Sequence, residues 1–171
     1  MNFTLRPWRA EDAASLAQAA NDPAVAANLR DVFPCPYTLA DAQRFIESCL
    51  AQQGQDIVYA ITIGGRAVGG VSVQLQSDIY RKSAELGYWL AQPYWGQGVM
   101  TQVVNRVCQE AFGRFDIVRI YAEPFAHNAG SRRVLEKAGF SLEGVMRDGA
   151  VKNGRILSYC MYSLLRREAG L

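Results

Sequence analysis

Ala84-Glu85-Leu86-Gly87-Tyr88-Trp89-Leu90-Ala91-Gln92-Pro93-Tyr94-Trp95-Gly96-Gln97-Gly98-Val99-Met100-Thr101 is the stretch on which the fold turns. Leu86, Tyr88 and Leu90 alternate with Glu85, Gly87 and Trp89, which is the period of a β-strand. Pro93 stops the strand, and Gly96 and Gly98 frame a tight turn. Beyond it Val99, Met100, Val103, Val104, Val107, Cys108, Ala111 and Phe112 recur at the three-and-four spacing of a helix with one buried face. Strand, glycine turn and helix together aim several backbone N–H groups at one point. The helix dipole adds positive charge there, so an anion, above all a diphosphate, is the expected guest. Gly96 and Gly98 lack Cβ, which permits positive φ and lets a bulky ligand touch the backbone. The same turn also reads as a simple packing element, and these residues alone leave both readings open. Two nucleotide classes are excluded. No Gly-Lys-Ser/Thr follows, and the third glycine of a dinucleotide fingerprint is Thr101, without the matching βαβ context.

The remaining composition narrows the class. A chain of 171 residues is one domain's worth and can bury a sizeable core. Half of the residues are hydrophobic and 20% are charged, the balance of a soluble globular protein. A net charge of +2 is too small to imply a nucleic-acid partner. Met1 to Pro7 has no signal-peptide apolar region and no apolar run approaches about 18 residues, so no membrane partner and a cytoplasmic location are expected. Cys35, Cys49, Cys108 and Cys160 are scattered, with no CxxC pair and a single histidine. Reduced thiols are expected rather than structural zinc.

Taken in order, Phe3 and Leu5 suggest a first strand ended by Pro7. A helix from about Glu11 turns Ala13, Leu16, Ala17 and Ala20 inward and breaks at Asn21-Asp22-Pro23, with a short piece from about Val25 to Leu29. Val32 to Tyr37 is too rich in proline for a regular element and reads as a loop that presents aromatics. Thr38 and Asp41 form a capping pattern for a second helix, striped by Ala42, Phe45, Ile46, Cys49 and Leu50 and closed by Gly54. Ile57 to Ile63 alternates, Gly64-Gly65 turns the chain, and Val71, Val73 and Leu75 return. After the central strand and helix, Ile117 to Glu123 is a strand placed to run parallel to the central one. Asn128 caps a helix that ends at Gly139. Strands from about Phe140 to Arg147 and Arg155 to Leu165 hinge on Asn153-Gly154. The expected order is βααβββαβαββ, an α/β mixed sheet with helices on both faces.

At this point the residues resemble a known family. Tyr-Trp-Gly-Gln-Gly at 94–98, His-Asn-Ala-Gly-Ser-Arg-Arg-Val-Leu-Glu-Lys-Ala-Gly-Phe at 127–140 and Glu-Gly at 143–144 are similar to the GNAT acetyltransferases, in particular the RimJ/RimL type that acetylates ribosomal-protein N-termini. Phe33-Pro34, Pro36-Tyr37-Thr38 and Tyr162 to Arg166 extend the likeness over nearly the whole chain. The resemblance implies an acyl-CoA N-acyltransferase fold spanning residues 1–171 as one domain, with the sheet splayed between its fourth and fifth strands. It implies acetyl-CoA as co-substrate, no metal, and transfer to a primary amine, either a protein N-terminus or a small molecule. It leaves a homodimer open. The alternative is a CoA-binding module of the same fold that has lost catalysis. Such a module would need the glycine turn and Asn128 but not the catalytic side chains.

The family's cofactor segment maps onto Trp95, Gly96, Gln97, Gly98, Val99, Met100 and Thr101, with Trp89 and Leu90 beside it. A small residue usual in this turn is Met100 here, and a usual glutamate is Gln102. Attack by an amine on a thioester needs a donor for the developing oxyanion and a proton for the departing thiolate. The oxyanion donor is expected from the backbone around Trp89 to Ala91. Asn128 reads both as a helix N-cap and as a contact for the pantetheine arm. Other branches place a tyrosine acid where Leu135 stands, which leaves Ser131 as the group for the CoA sulfur, against a purely structural place in the first turn. Glu85 reads as a base acting through water, or as a salt-bridge partner of Arg81, Lys82 or Arg119. His127 has a suitable pKa but reads as a surface residue. Phe33, Tyr37, Tyr80, Trp89 and Tyr94 are candidate walls of an acceptor cleft. Ser158 stands where the family more often has an aspartate.

Overall fold

A computed structural model describes residues 2–52 and 54–170. The chain forms two compact units, one comprising residues up to Ser72 with Tyr88–Val99, the other Val73–Gly87 with residues from Met100 onward. Seven strands follow the hydrogen-bonded order β1-β2-β3-β4-β5-β7-β6. Here β1 is Thr4–Pro7, β2 Ile57–Ile63, β3 Arg66–Leu75, β4 Ser83–Leu90, β5 Arg119–Ala122, β6 Ser141–Lys152 and β7 Arg155–Leu165. The helices are α1 (Ala13–Ala20), α2 (Pro23–Ala26), α3 (Leu39–Ala51), α4 (Val99–Arg114) and α5 (Ala129–Lys137). This is the expected mixed α/β order, except that the short piece expected from about Val25 to Leu29 is a one-turn helix set earlier, at Pro23–Ala26.

In the first unit β1 pairs antiparallel with β2, Leu5 opposite Ile61 and Arg6 opposite Ala60. Asp22 caps α2 by accepting from the Ala24 N–H at 2.8 Å, and Pro23 needs no acceptor at the first helical position. The capping box at α3 forms as expected: Thr38 Oγ1 accepts from the Asp41 N–H, and the Asp41 carboxylate accepts from the Thr38 N–H at 2.8 Å. Trp8, Leu16, Ala20, Tyr37, Ala42 and Ile46 then meet in one apolar cluster. Leu50 is a correction. It stands in the last turn of α3 and is 41% exposed, so the buried stripe ends one residue earlier.

In the second unit all of the apolar residues read as the stripe of α4 from Met100 to Phe112 are buried. Parallel pairing joins Ser83, Ala84 and Glu85 of β4 to Arg119, Ile120 and Tyr121 of β5. β5 pairs antiparallel with β7, Ile120 opposite Leu164. β5 is shorter than its periodicity suggested: Ile117 is buried but Val118 is half exposed, so alternation begins only at Arg119. β6 is longer than expected because two register irregularities, after Leu142 and after Met146, let it stay paired with β7 as far as Lys152. At the end of α5 the N–H groups of Gly139 and Phe140 return to the carbonyls of Glu136 and Leu135, and Phe140 and Leu135 are both buried. That is a Schellman closure with its apolar contact.

Glu143 ties three strands together. Both its oxygens accept from Arg119 of β5, at 2.6 and 2.7 Å, and one also accepts from the Ser163 hydroxyl of β7 at 2.7 Å. The Arg119 hydrogen bonds, and then that from Ser163, draw its carboxyl down from an ordinary 4.5 to about 2. A depressed folded-state pKa contributes stability that is complete above 4.5 and lost as pH falls toward 2. Solvent screening of this partly exposed pair keeps the effect to ~1 kcal/mol. Urea midpoints of wild type and Glu143→Gln should therefore differ near neutrality and converge as pH drops through that window. A gap that stays constant with pH would assign the loss to packing instead.

Candidate active site

The turn before α4 is braced at several points. The Ala91 N–H donates to the Val68 carbonyl of β3 at 2.8 Å, ending the strand. Pro93 sits second in a single 3₁₀ turn over Gln92–Tyr94, in which Tyr94 and Trp95 donate back to Ala91 and Gln92 at 3.0 Å each. The Trp95 indole N–H then donates to the Leu90 carbonyl at 2.6 Å, and the Gln97 side-chain amide to the Pro93 carbonyl at 2.8 Å. Gly96 and Gly98 both sit at φ +74°, where an L side chain is strained. A Cβ built on either would meet no atom within 4 Å. So neither glycine is required by close packing, and both leave room beside the backbone. α4 begins at Val99, and the first turn of any helix has N–H groups without an intrahelical acceptor. Open approach, positive φ and helix N–H groups fit a diphosphate. Met100 is 7% exposed and belongs to the buried stripe of α4, so the departure from the family's small residue is accommodated in the core. Gln102 is exposed.

Trp89 and Leu90 precede this turn in the same unit. Ala91 is a correction to the expected oxyanion donors, since its N–H is already committed to Val68; Trp89 and Leu90 remain candidates. The Trp89 ring packs edge-on to Phe33 at 5.6 Å, and Phe33 packs on Tyr37 at 4.9 Å. Three of the five aromatics proposed as cleft walls thus form one cluster. Burial pushes the Tyr37 phenol up to about 12, so it stays protonated. On its flank a cavity of about 490 Å³ is lined by Val32, Phe33, Pro34, Tyr37 and Phe45 among others. Tyr94 lies in this unit, whereas Tyr80 belongs to the other and is 65% exposed.

The second unit holds the candidates for proton transfer. Asn128 Oδ1 accepts from the Ser131 N–H at 3.1 Å, the expected N-cap of α5. Ser131 is half-buried at the third helical position. Leu135 is fully buried and part of the helix closure, so no group there can serve as an acid. His127 is exposed and stacked on Phe125 at 5.7 Å. Glu85 is half-buried opposite Tyr121. Of the cations proposed as its ion-pair partners, Arg119 binds Glu143, Lys82 binds Asp116 and Arg81 donates to the Asp78 carbonyl, while Glu85 keeps contacts of its own. Ser158 Oγ accepts from the Asp148 N–H at 3.0 Å, and its carbonyl from the Ala126 N–H at 2.9 Å. It therefore holds the segment leading into α5.

Two features escaped sequence reasoning. The first is the fixing of α5 by Arg132, which donates to the Ala126 carbonyl and the Tyr162 hydroxyl at 3.1 Å each, while Tyr162 donates to Glu136 at 2.7 Å. Arg132 and Glu136 stand four apart in the helix, a spacing that could have flagged them. The second is Gly69-Gly70 in mid-strand, where paired glycines usually mark a close backbone approach.

These features agree with a protein of the acyltransferase class. The sequence pattern of the Acetyltransferase (GNAT) domain matches residues 2–141, and the chain belongs to that family. YdaF of Bacillus subtilis (strain 168), provisionally named a ribosomal N-acetyltransferase, is 36% identical over 104 residues, 61% of this chain and 56% of YdaF. This chain thus spans little more than half the length of that relative. The uncharacterized N-acetyltransferase p20 of Bacillus licheniformis is 29% identical over 171 residues, 97% of this chain and 94% of its own. Among solved structures, the ribosomal alpha-N-protein acetyltransferase RimL in complex with coenzyme A superposes with a TM-score of 0.85 at 25% identity, covering 96% of this chain and 94% of RimL. The likeness runs to the RimJ/RimL branch.

The cap role of Asn128 can be isolated. Asn128→Ala removes the side-chain acceptor and should cost ~1 kcal/mol of stability, while Asn128→Asp keeps the acceptor and most of the stability. Thermal melts of the two variants decide it: equal melting temperatures would deny the cap any weight.

Proposed function

We propose that this chain moves an acetyl group from acetyl-CoA to a primary amine by direct attack in a ternary complex. The observation that carries the reading is the pair Gly96 and Gly98, held at positive φ with open space beside them, immediately before the buried helix α4. Acetyl-CoA, when bound, supplies a thioester carbonyl activated toward amines. Backbone N–H groups from Gly96 to Thr101 hold the diphosphate, with Trp95 and Gln97 bracing the turn. Trp89 and Leu90 lie along the acetyl end and offer N–H groups to the developing oxyanion. Asn128 turns its amide to the pantetheine arm while its oxygen caps α5. Ser131 Oγ donates a hydrogen bond to the departing CoA thiolate, and Glu85 takes the amine's proton through water. Residues 1–171 act as one catalytic domain in this reading, and the four free cysteines agree with a cytosolic setting.

The likeness to RimL and YdaF supports a protein N-terminus as the first acceptor class to test. A panel of Ser- and Ala-initiated peptides, free amino acids, spermidine and an aminoglycoside, read by release of free thiol from acetyl-CoA, should show turnover with at least one amine. Silence across the panel, with CoA still bound, would favour a non-catalytic CoA module.

Two substitutions separate binding from chemistry. Gly98→Val should fold, since its side chain enters open space, yet weaken CoA by ~1–3 kcal/mol through backbone strain and lost charge-assisted hydrogen bonds. Titration calorimetry beside a circular-dichroism melt checks this, and native affinity in a folded variant would reduce the turn to packing. Ser131→Ala should lower kcat ~10-fold or more with CoA affinity kept; unchanged turnover removes Ser131 from the mechanism.

A further inference from the structure

Gly69 and Gly70 sit in the middle of β3, where glycine weakens a strand and needs a reason. The reason lies in Trp89. A Cβ on Gly69 would stand 2.5 Å from the Trp89 carbonyl oxygen and 3.2 Å from Leu90 Cα. A Cβ on Gly70 would stand 2.9 Å from Trp89 Nε1, 3.5 Å from its Cδ1 and 3.3 Å from Cζ2 of Trp8. Gly69 thus sets how closely β3 approaches the backbone of Trp89 and Leu90. Gly70 makes the floor on which the Trp89 indole lies. Neither obstacle is the far end of a flexible chain. One is backbone, and the other is a rigid ring wedged against Phe33 at 5.6 Å, with Trp8 itself only 2% exposed.

We propose that Gly70 is a positioning residue that acts through Trp89 on the acetyl end of the site. This inference rests on the proposed function, because it takes Trp89 and Leu90 as the stretch along the acetyl group. A side chain at 70 would lift the indole and with it the β4 backbone that presents the oxyanion donor, but would not touch the glycine turn that holds the diphosphate. The consequence is a split: the acetyl-transfer step suffers while affinity for CoA itself does not. A misplacement of about 1 Å at such a donor can cost up to about 100-fold in rate.

The test uses the full chain and four forms: wild type, Gly70→Ala, Trp89→Phe and the double variant. In Gly70→Ala the ¹⁵N indole resonance of Trp89, assigned by its loss in Trp89→Phe, should shift while that of Trp95 stays in place. The kcat with the best amine of the panel should fall about tenfold, and the Kd for CoA should stay within about twofold. Trp89→Phe removes Nε1, the atom nearest the added methyl, so adding Gly70→Ala in that background should change kcat less than about twofold. If Gly70→Ala alone does not fold, a folded double variant still supports the contact, and an unfolded one overturns it. An unmoved Trp89 resonance, or equal losses of kcat in both backgrounds, also overturns the proposal. If wild type turns over no amine, the proposed function fails by itself. The inference is then decided by the resonance and by the affinities: Gly70→Ala should weaken acetyl-CoA relative to CoA, and an unchanged ratio sinks it.

Discussion

A helix whose inner face is buried cannot choose where its first turn points. Val99, Met100, Val103, Val104, Val107, Cys108, Ala111 and Phe112 are all 7% exposed or less. At roughly 25 cal/mol per Å² of apolar surface, burying eight such side chains outweighs anything the N-terminus could gain by fraying or rotating. The first-turn N–H groups are therefore held, unpaired within the helix, where the core puts them. What remains adjustable is the chain leading in, and there glycine is required twice. Two residues at φ +74° bring the backbone round so sharply that side chains would be both strained and in the way of a guest. Where this end of the helix faces is therefore set by the packing of the other.

The loop between β4 and that turn is stiff for its length. Six residues, Leu90 to Trp95, carry the Ala91 link to β3, two 3₁₀ hydrogen bonds and the indole bond from Trp95 to Leu90. The Trp95 ring remains 42% exposed, so its contribution lies in that hydrogen bond more than in burial. Pre-organisation of this kind matters for acyl transfer, because a donor already aimed at the developing charge needs no rearrangement when the charge appears. Burial also bears on which groups can react. It pushes the Cys108 thiol up to about 12 and Cys49 up to about 11, so neither presents a thiolate that could compete for an acetyl group.

How much of this could be read from the chain depends on the distance over which each feature is encoded. The stripe of α4, the Thr38–Asp41 box, the Asn128 cap and the hinge at Asn153-Gly154 are written within one or two turns, and each formed as expected. The limits of β5 and β6 were not, since strand ends follow the register of a neighbour rather than local alternation. Val118 looks like a strand residue and is half exposed. The Glu-Gly pair at 143–144 counted as a family mark, but its physical role needs Arg119 and Ser163, 24 and 20 residues away. Gly69-Gly70 was silent for the same reason: their obstacle, Trp89, comes from the next strand. The geometry of the glycine turn and the Asn128 cap was legible because both are local, while the surroundings of Glu85 were not, because they come from several elements.

The nine residues of α5 would be marginal as a free helix, since a nucleus is costly and short helices recover little. Here both ends are closed chemically, by Asn128 at the first turn and by Gly139 and Phe140 at the last. Arg132 adds a fastening to the segment before the helix, and Tyr162 and Glu136 add one to β7. This matters most for Ser131. A serine hydroxyl is a weak acid, and nothing in its type makes it a good proton donor. Any effect on a departing thiolate must come from being held at the right place before the bond breaks. The cap fixes the Ser131 backbone through its own N–H, and the Arg132 fork fixes the axis that carries it. In the proposed mechanism a chemically ordinary group works only because it is held still, so Asn128, Arg132, Tyr162 and Glu136, which hold it, stand or fall with the hydroxyl.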